Sequence, residues 1–63
     1  MELNPINPIL YNLDYVESDG DITLYYSVVY IGNIKVENID RYINYLKQNE
    51  IDTTQIRFYK SKK

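Results

Sequence analysis

Ile22-Thr23-Leu24-Tyr25-Tyr26-Ser27-Val28-Val29-Tyr30-Ile31 is the stretch on which the fold turns. It is dense in β-branched and aromatic side chains and holds neither glycine nor proline, so it reads as one extended strand over residues 22–31, ended by Gly32-Asn33. Alternation places Thr23, Tyr25, Ser27, Val29 and Ile31 on a single face of that strand. Upstream, residues 9–17 alternate as well, with Tyr11, Leu13 and Tyr15 on one side and Asn12 and Asp14 on the other. Between the two runs, Ser18-Asp19-Gly20-Asp21 supplies turn chemistry: the glycine tolerates positive φ and the short acids cap the backbone, closing a hairpin.

Downstream the period changes. Ile39, Tyr42, Ile43 and Leu46 recur at i, i+3, i+4 and i+7, which predicts an amphipathic helix over 36–48. Glu37 and Asp40 place acids in the first turn, where the helix dipole favours them, and Glu37 precedes Arg41 in the better i,i+4 orientation. Its N-cap is either Lys35 or Asn38. Residues 49–53 form a connection and 54–60 a third strand, with Ile56 and Phe58 inward and Gln55, Arg57 and Tyr59 outward. The expectation is an α+β fold in one small domain, residues 1–63. It has the order β-β-α-β, with a three-stranded sheet covered on one face by one amphipathic helix, an extended segment at 1–8 and a frayed basic tail at 61–63.

Composition then narrows the function. The 63 residues contain eight tyrosines and no histidine, cysteine or tryptophan, so groups that titrate near neutrality, activated thiols and imidazole or thiolate metal sites are all missing. No catalytic residue, cofactor or metal ligand is expected, and a binder is favoured over an enzyme. Tyrosine suits that role, because it carries a large apolar ring with a polar tip and only two torsions to freeze. The net charge of −2 conceals an asymmetry: residues 1–59 set four basic residues against all nine acids, a net of −5. An acidic body repels nucleic acid and is drawn to basic clefts, so no direct nucleic-acid contact is expected. The absence of cysteine and of any long apolar run points to the cytoplasm, that of a host if the chain is viral, and away from membranes.

A single helix covers only one face of a sheet, so the other face should be open. Tyr25, Val29 and Ile31, joined by Tyr59 from the third strand, would make that face too apolar to remain in water, and a homodimer built on it is expected. The plainer alternatives are that the N-terminal segment folds across this face, or that Tyr25 and Tyr59 shield one another as cross-strand neighbours. Tyr45, on the flank of the helix stripe, is placed to meet a partner alongside Glu37 and Asp40. Glu17, Asp19 and Asp21 around Gly20 invite a calcium reading. The loop is too short for an EF-hand and lacks the terminal bidentate glutamate, so a solvated turn is favoured.

The segments Ser18-Asp19-Gly20-Asp21, Tyr25-Tyr26 through Gly32, Val36-Glu37-Asn38-Ile39-Asp40 and Ile56-Arg57-Phe58 together resemble the small acidic bacteriophage inhibitors of uracil-DNA glycosylase. In that family an apolar residue followed by an acid near the helix start serves dimerisation and enzyme contact, and those positions fall on Ile39 and Asp40. Ile43 stands where the family has an aromatic, with Tyr42 one position earlier. The resemblance implies DNA mimicry: a dimer presenting carboxylates where phosphates would lie, blocking the DNA-binding groove of a host enzyme. Anti-CRISPR and anti-restriction inhibitors share the same compositional trace. From a different class comes a structural or assembly module that self-associates, or docks on a larger protein, through its exposed sheet face.

The helix stripe is the testable part of the fold expectation. Leu46→Ala should cost about 2–5 kcal/mol in denaturant unfolding, whereas Asn44→Ala on the opposite face should cost much less. Equal midpoints for the two variants would mean the period had been misread.

Overall fold

A computed structural model describes residues 8–62. The expected three strands are four: β1 (Val16–Glu17), β2 (Ile22–Tyr26), β3 (Val29–Ile34) and β4 (Ile56–Lys60). They form one antiparallel sheet in the order β1-β3-β2-β4. The apolar stretch 22–31 is therefore a hairpin and not one strand, because the chain reverses through Ser27 and Val28 between the paired residues Tyr26 and Val29. Ser27 has φ 58°. Positive φ at the first position of a two-residue loop fits the right-handed twist of the flanking strands, and glycine usually fills it. A serine there leaves no glycine signal in the sequence.

Gly32-Asn33, expected to break the strand, lies inside β3. Leu24 pairs with Gly32 while Tyr25 pairs with Tyr30, so Ile31 is the extra residue of a bulge. A Cβ on Gly32, which has φ 155°, would meet Val16 Cγ1 at 2.5 Å. The glycine lets β1 close over β3. Gly20 is needed for a related reason, and not for the positive φ expected of it: a Cβ there would lie 2.5 Å from the backbone of Ile34.

The first expected strand, 9–17, shrinks to its last two residues. Pro8–Tyr11 forms a 3-10 turn, so Pro8 does not belong to an extended segment. The Asn12 carbonyl accepts from the N–H groups of Tyr15 (3.0 Å) and Val16 (2.9 Å), and its Oδ1 accepts from Asp14 N–H at 2.8 Å. A local asparagine turn has thus won over the alternation. Residues 1–7 and Lys63, expected as an extended arm and part of a frayed tail, lie outside the described residues. Ser61 is tied down, since its N–H donates to the Asp21 carbonyl at 3.0 Å.

The helical segment opens as a 3-10 turn, Val36–Asn38, and continues as α1, Ile39–Gln48. Neither Lys35 nor Asn38 caps with its side chain. The connection at 18–21 closes no hairpin, since β1 pairs with β3 and not with β2, but its Asp21 caps more weakly, Oδ2 accepting from Val36 N–H at 3.4 Å. Tyr42 and Leu46 are fully buried, and Ile39 and Ile43 pack against the same core as the stripe requires. That core also holds Leu10, Val16, Leu24, Ile31, Ile34 and Ile56. Phe58 lies on the helix side by register but at the sheet edge, and remains 39% exposed.

The helix stops by backbone geometry. Ile51 N–H donates to the Leu46 carbonyl (2.9 Å) and Glu50 N–H to the Lys47 carbonyl (3.0 Å), with Glu50 at φ 61° and Ile51 packed on the core. This is the Schellman arrangement with glutamate where glycine is normally found. Glu50→Gly should therefore stabilise the fold by about 0.5–1 kcal/mol, the relief of left-handed strain exceeding the entropic cost of glycine. A urea midpoint that fell instead would contradict this end to the helix.

Candidate functional site

Ring contacts gather six of the eight tyrosines into two groups on opposite sides of the sheet. Tyr42 is buried, and its ring centroid lies 5.8 Å from that of Tyr15, which in turn lies 5.8 Å from Tyr45. The Tyr42 hydroxyl donates to the Leu10 carbonyl at 2.5 Å, fastening the helix to the 3-10 turn at 8–11. Burial, and secondarily the neighbouring Tyr45, hold the Tyr42 phenol well above the usual tyrosine range. Tyr45, expected to present its ring to a partner, is half-buried against Tyr15 and the core.

The second group lies on the opposite side of the sheet. Tyr25 pairs with Tyr30 on β3 and with Arg57 on β4, and Thr23 pairs with Tyr59, so all five side chains share a face. The Tyr25 ring stands edge-on to Tyr30 at 5.8 Å and to Tyr59 at 5.6 Å. Edge-to-face contacts of this kind fix ring orientation. Tyr30 is 50% and Tyr59 55% exposed, so the cluster is ordered yet open to solvent. Its three rings line a shallow depression of about 840 Å³ together with Ser27, Val28, Lys60 and Lys62.

One end of this face is fastened by a short polar chain. Asn33 Nδ2 donates to the Ser18 carbonyl at 2.9 Å, Ser61 Oγ donates to Asn33 Oδ1 at 3.4 Å, and Thr23 Oγ1 lies 3.1 Å from Ser61 Oγ. Asn33 Oδ1 only accepts, so the Ser61 proton points there and Thr23 donates to Ser61. Strands β2 and β3 and the exit of β4 are thereby linked at that end.

The expected interface is only partly assembled. Tyr25 and Tyr59 do come together, but Ile31 is 2% exposed and sits in the core, on the same helix-side face as Val29 two residues before it. Val29 pairs with Tyr26 and so shares the helix-side face, half-buried. Both shifts follow from the reversal at Ser27-Val28, which inverts the parity of Val29, Tyr30 and Ile31 until the bulge restores it at Asn33 and Ile34. Tyr30 takes the place that parity denied to Val29 and Ile31. Ile39 is half-buried against the core, while Glu37 and Asp40 are exposed in the helix layer, away from the tyrosines. No group of three or more carboxylates among the described residues converges closely enough to hold a metal ion.

Comparison with family models, curated proteins and solved structures finds no match to this chain. Among the described residues no helix is long and apolar enough to cross a membrane.

The two tyrosine groups should respond differently to loss of a hydroxyl. Tyr42→Phe leaves the buried Leu10 carbonyl without its donor and should cost about 1–3 kcal/mol, whereas Tyr59→Phe should leave stability unchanged. The folded-state pKa of Tyr42 is raised, so its contribution is complete below about pH 10 and is lost as pH rises through the folded value. Alkaline denaturation should therefore begin near the ordinary tyrosine pKa and be blunted in Tyr42→Phe. Equal denaturation profiles for the two variants would remove the structural distinction.

Proposed function

We propose that this chain is a non-catalytic binding module that docks on a larger protein through the face formed by Tyr25, Tyr30 and Tyr59. The observation that carries the reading is the ordered, half-exposed tyrosine cluster on the side of the sheet away from the helix. Rings already held edge-to-face lose little further freedom on binding, so much of their apolar area translates into affinity. The surrounding hydroxyls of Thr23, Ser27 and Ser61, with Lys62 beside them, supply a polar rim. A chain with no cysteine suits a reducing compartment, which supports a cytoplasmic setting.

A second, narrower reading has its own support. Glu37 and Asp40 are both exposed at the start of the helical layer of a body that carries −5 over residues 1–59. Those features, with the resemblance noted above, favour an inhibitor of a host DNA-processing enzyme, with uracil-DNA glycosylase as first candidate. Such an inhibitor would engage the enzyme through the helix start, since the tyrosine face carries Arg57 with Lys62 beside it and lacks the carboxylate rows that mimicry of a phosphate backbone requires.

Affinity capture from a lysate of the source cells, run with two variants, separates these readings. Docking by the tyrosine face predicts a partner lost with Tyr30→Ser/Tyr59→Ser, kept with Glu37→Lys/Asp40→Lys, and bound with little dependence on salt. The inhibitor reading predicts the reverse pattern, slower association at raised salt, and loss of uracil excision when the protein is added in molar excess. A partner indifferent to the tyrosine double variant would overturn the main proposal.

A further inference from the structure

The two edges of the sheet differ. At one edge β1 spans only two residues, short enough to offer no template for pairing, whereas β4 at the other runs straight for five. It pairs with β2 without a register shift and holds no proline or glycine. Natural edges are normally blunted by shortness, bulges, proline or charged side chains; β4 has only the last, in Arg57 and Lys60, so its pairing depends on a register that does not set like charges opposite one another.

The phase of its hydrogen bonds can be read from both ends. Ser27 N–H donates to the Gln55 carbonyl at 2.8 Å, and Ser61 N–H donates to the Asp21 carbonyl at 3.0 Å. Both bonds continue the β2–β4 register, so residues 55, 57, 59 and 61 turn their polar backbone groups toward β2. Ile56, Phe58 and Lys60 consequently turn theirs outward. The Arg57 guanidinium, donating to the Thr54 carbonyl at 2.9 Å, reaches the outward Ile56 carbonyl only at 3.3 Å.

We propose that β4 pairs antiparallel with β4 of a second copy of this chain about a two-fold axis at Phe58, joining two sheets into one of eight strands. The side chains of Ile56-Arg57-Phe58-Tyr59-Lys60 are self-complementary about that centre. Phe58 meets Phe58 of the second copy on the helix side, removing from water a ring that is 39% exposed in the single chain. On the tyrosine side Arg57 stands opposite Tyr59, twice, a cation–π pairing at the closer, non-hydrogen-bonded spacing. The Lys60 stem lies along Ile56, and the Lys60 N–H replaces the guanidinium on the Ile56 carbonyl.

Other registers that keep the outward groups in phase are worse. Centring on Arg57 opposes two guanidinium groups, and centring on Lys60 opposes two ammonium groups. Centring on Tyr59 leaves Ile56 outside the ladder, and centring on Ile56 runs into the 3-10 turn at Thr53–Gln55. The Phe58 register alone uses the whole strand without facing like charges. It also makes the two tyrosine clusters continuous, although the proposal stands on the edge geometry and not on what that face binds.

Sedimentation equilibrium and amide exchange of the unmodified protein, each at low and high concentration, test this together. The expected result is a monomer–dimer equilibrium in which the Phe58 and Lys60 amides slow with concentration. At nine-tenths dimer only about a tenth of the chains remain open, so exchange should slow about tenfold. Arg57 and Tyr59, already bonded to β2, should be protected at both concentrations. Phe58→Pro, which removes an outward N–H from an edge strand, should give a folded monomer, and Tyr30→Ser should leave the dimer intact. A monomer at every concentration would overturn the proposal, as would a dimer whose Phe58 exchange is independent of concentration.

Discussion

Everything about which residues face which way depends on the reversal at Ser27-Val28. A strand has a period of two, so a two-residue turn inverts the faces of Val29, Tyr30 and Ile31, and the bulge at Ile31 restores the original phase for Asn33 and Ile34. With Ser27 at positive φ, Leu24, Ile31 and Ile34 reach one core beneath the helix, and Tyr25 and Tyr30 meet on the other side. Gly20 and Gly32 then permit the close backbone approaches at Ile34 and Val16 that seal the β1 side.

On this frame one residue type serves two physical ends. Buried in the helix layer, Tyr42 supplies ring volume and a hydroxyl that bonds the Leu10 carbonyl, which a leucine in its place would leave bare. Exposed on the sheet, Tyr25, Tyr30 and Tyr59 supply area that the small core cannot use. A chain of this size has little apolar surface to spare, so an ordered aromatic cluster left half in water is the feature that most asks for a binding role.

How legible this was in the sequence depended on how local the signal was. The helix stripe of Ile39, Tyr42, Ile43 and Leu46 was readable because its period of 3.6 extends over several turns. The sharing of one face by Tyr25 and Tyr59 was readable as well, since both lie in regular alternation within strands that pair directly. Tyr30 was missed, and Val29 and Ile31 were misplaced, because a serine occupies the turn position where glycine would have announced a hairpin. The alternation at 9–17 misled for the converse reason: Asn12 bonds its own neighbours and bends the chain before it can pair. Glu50 likewise hides the helix stop that a glycine would mark.

The central claim is that the chain reverses at Ser27-Val28 and so gathers three tyrosines on the sheet face opposite the helix. Nuclear Overhauser contacts among the tyrosine rings test it most directly. The account predicts cross-peaks from the Tyr25 ring to those of Tyr30 and Tyr59, together with contacts from Tyr42 to Tyr15. Tyr25–Tyr59 contacts with none between Tyr25 and Tyr30, and Ile31 methyls facing solvent, would restore a single unbroken strand and contradict it.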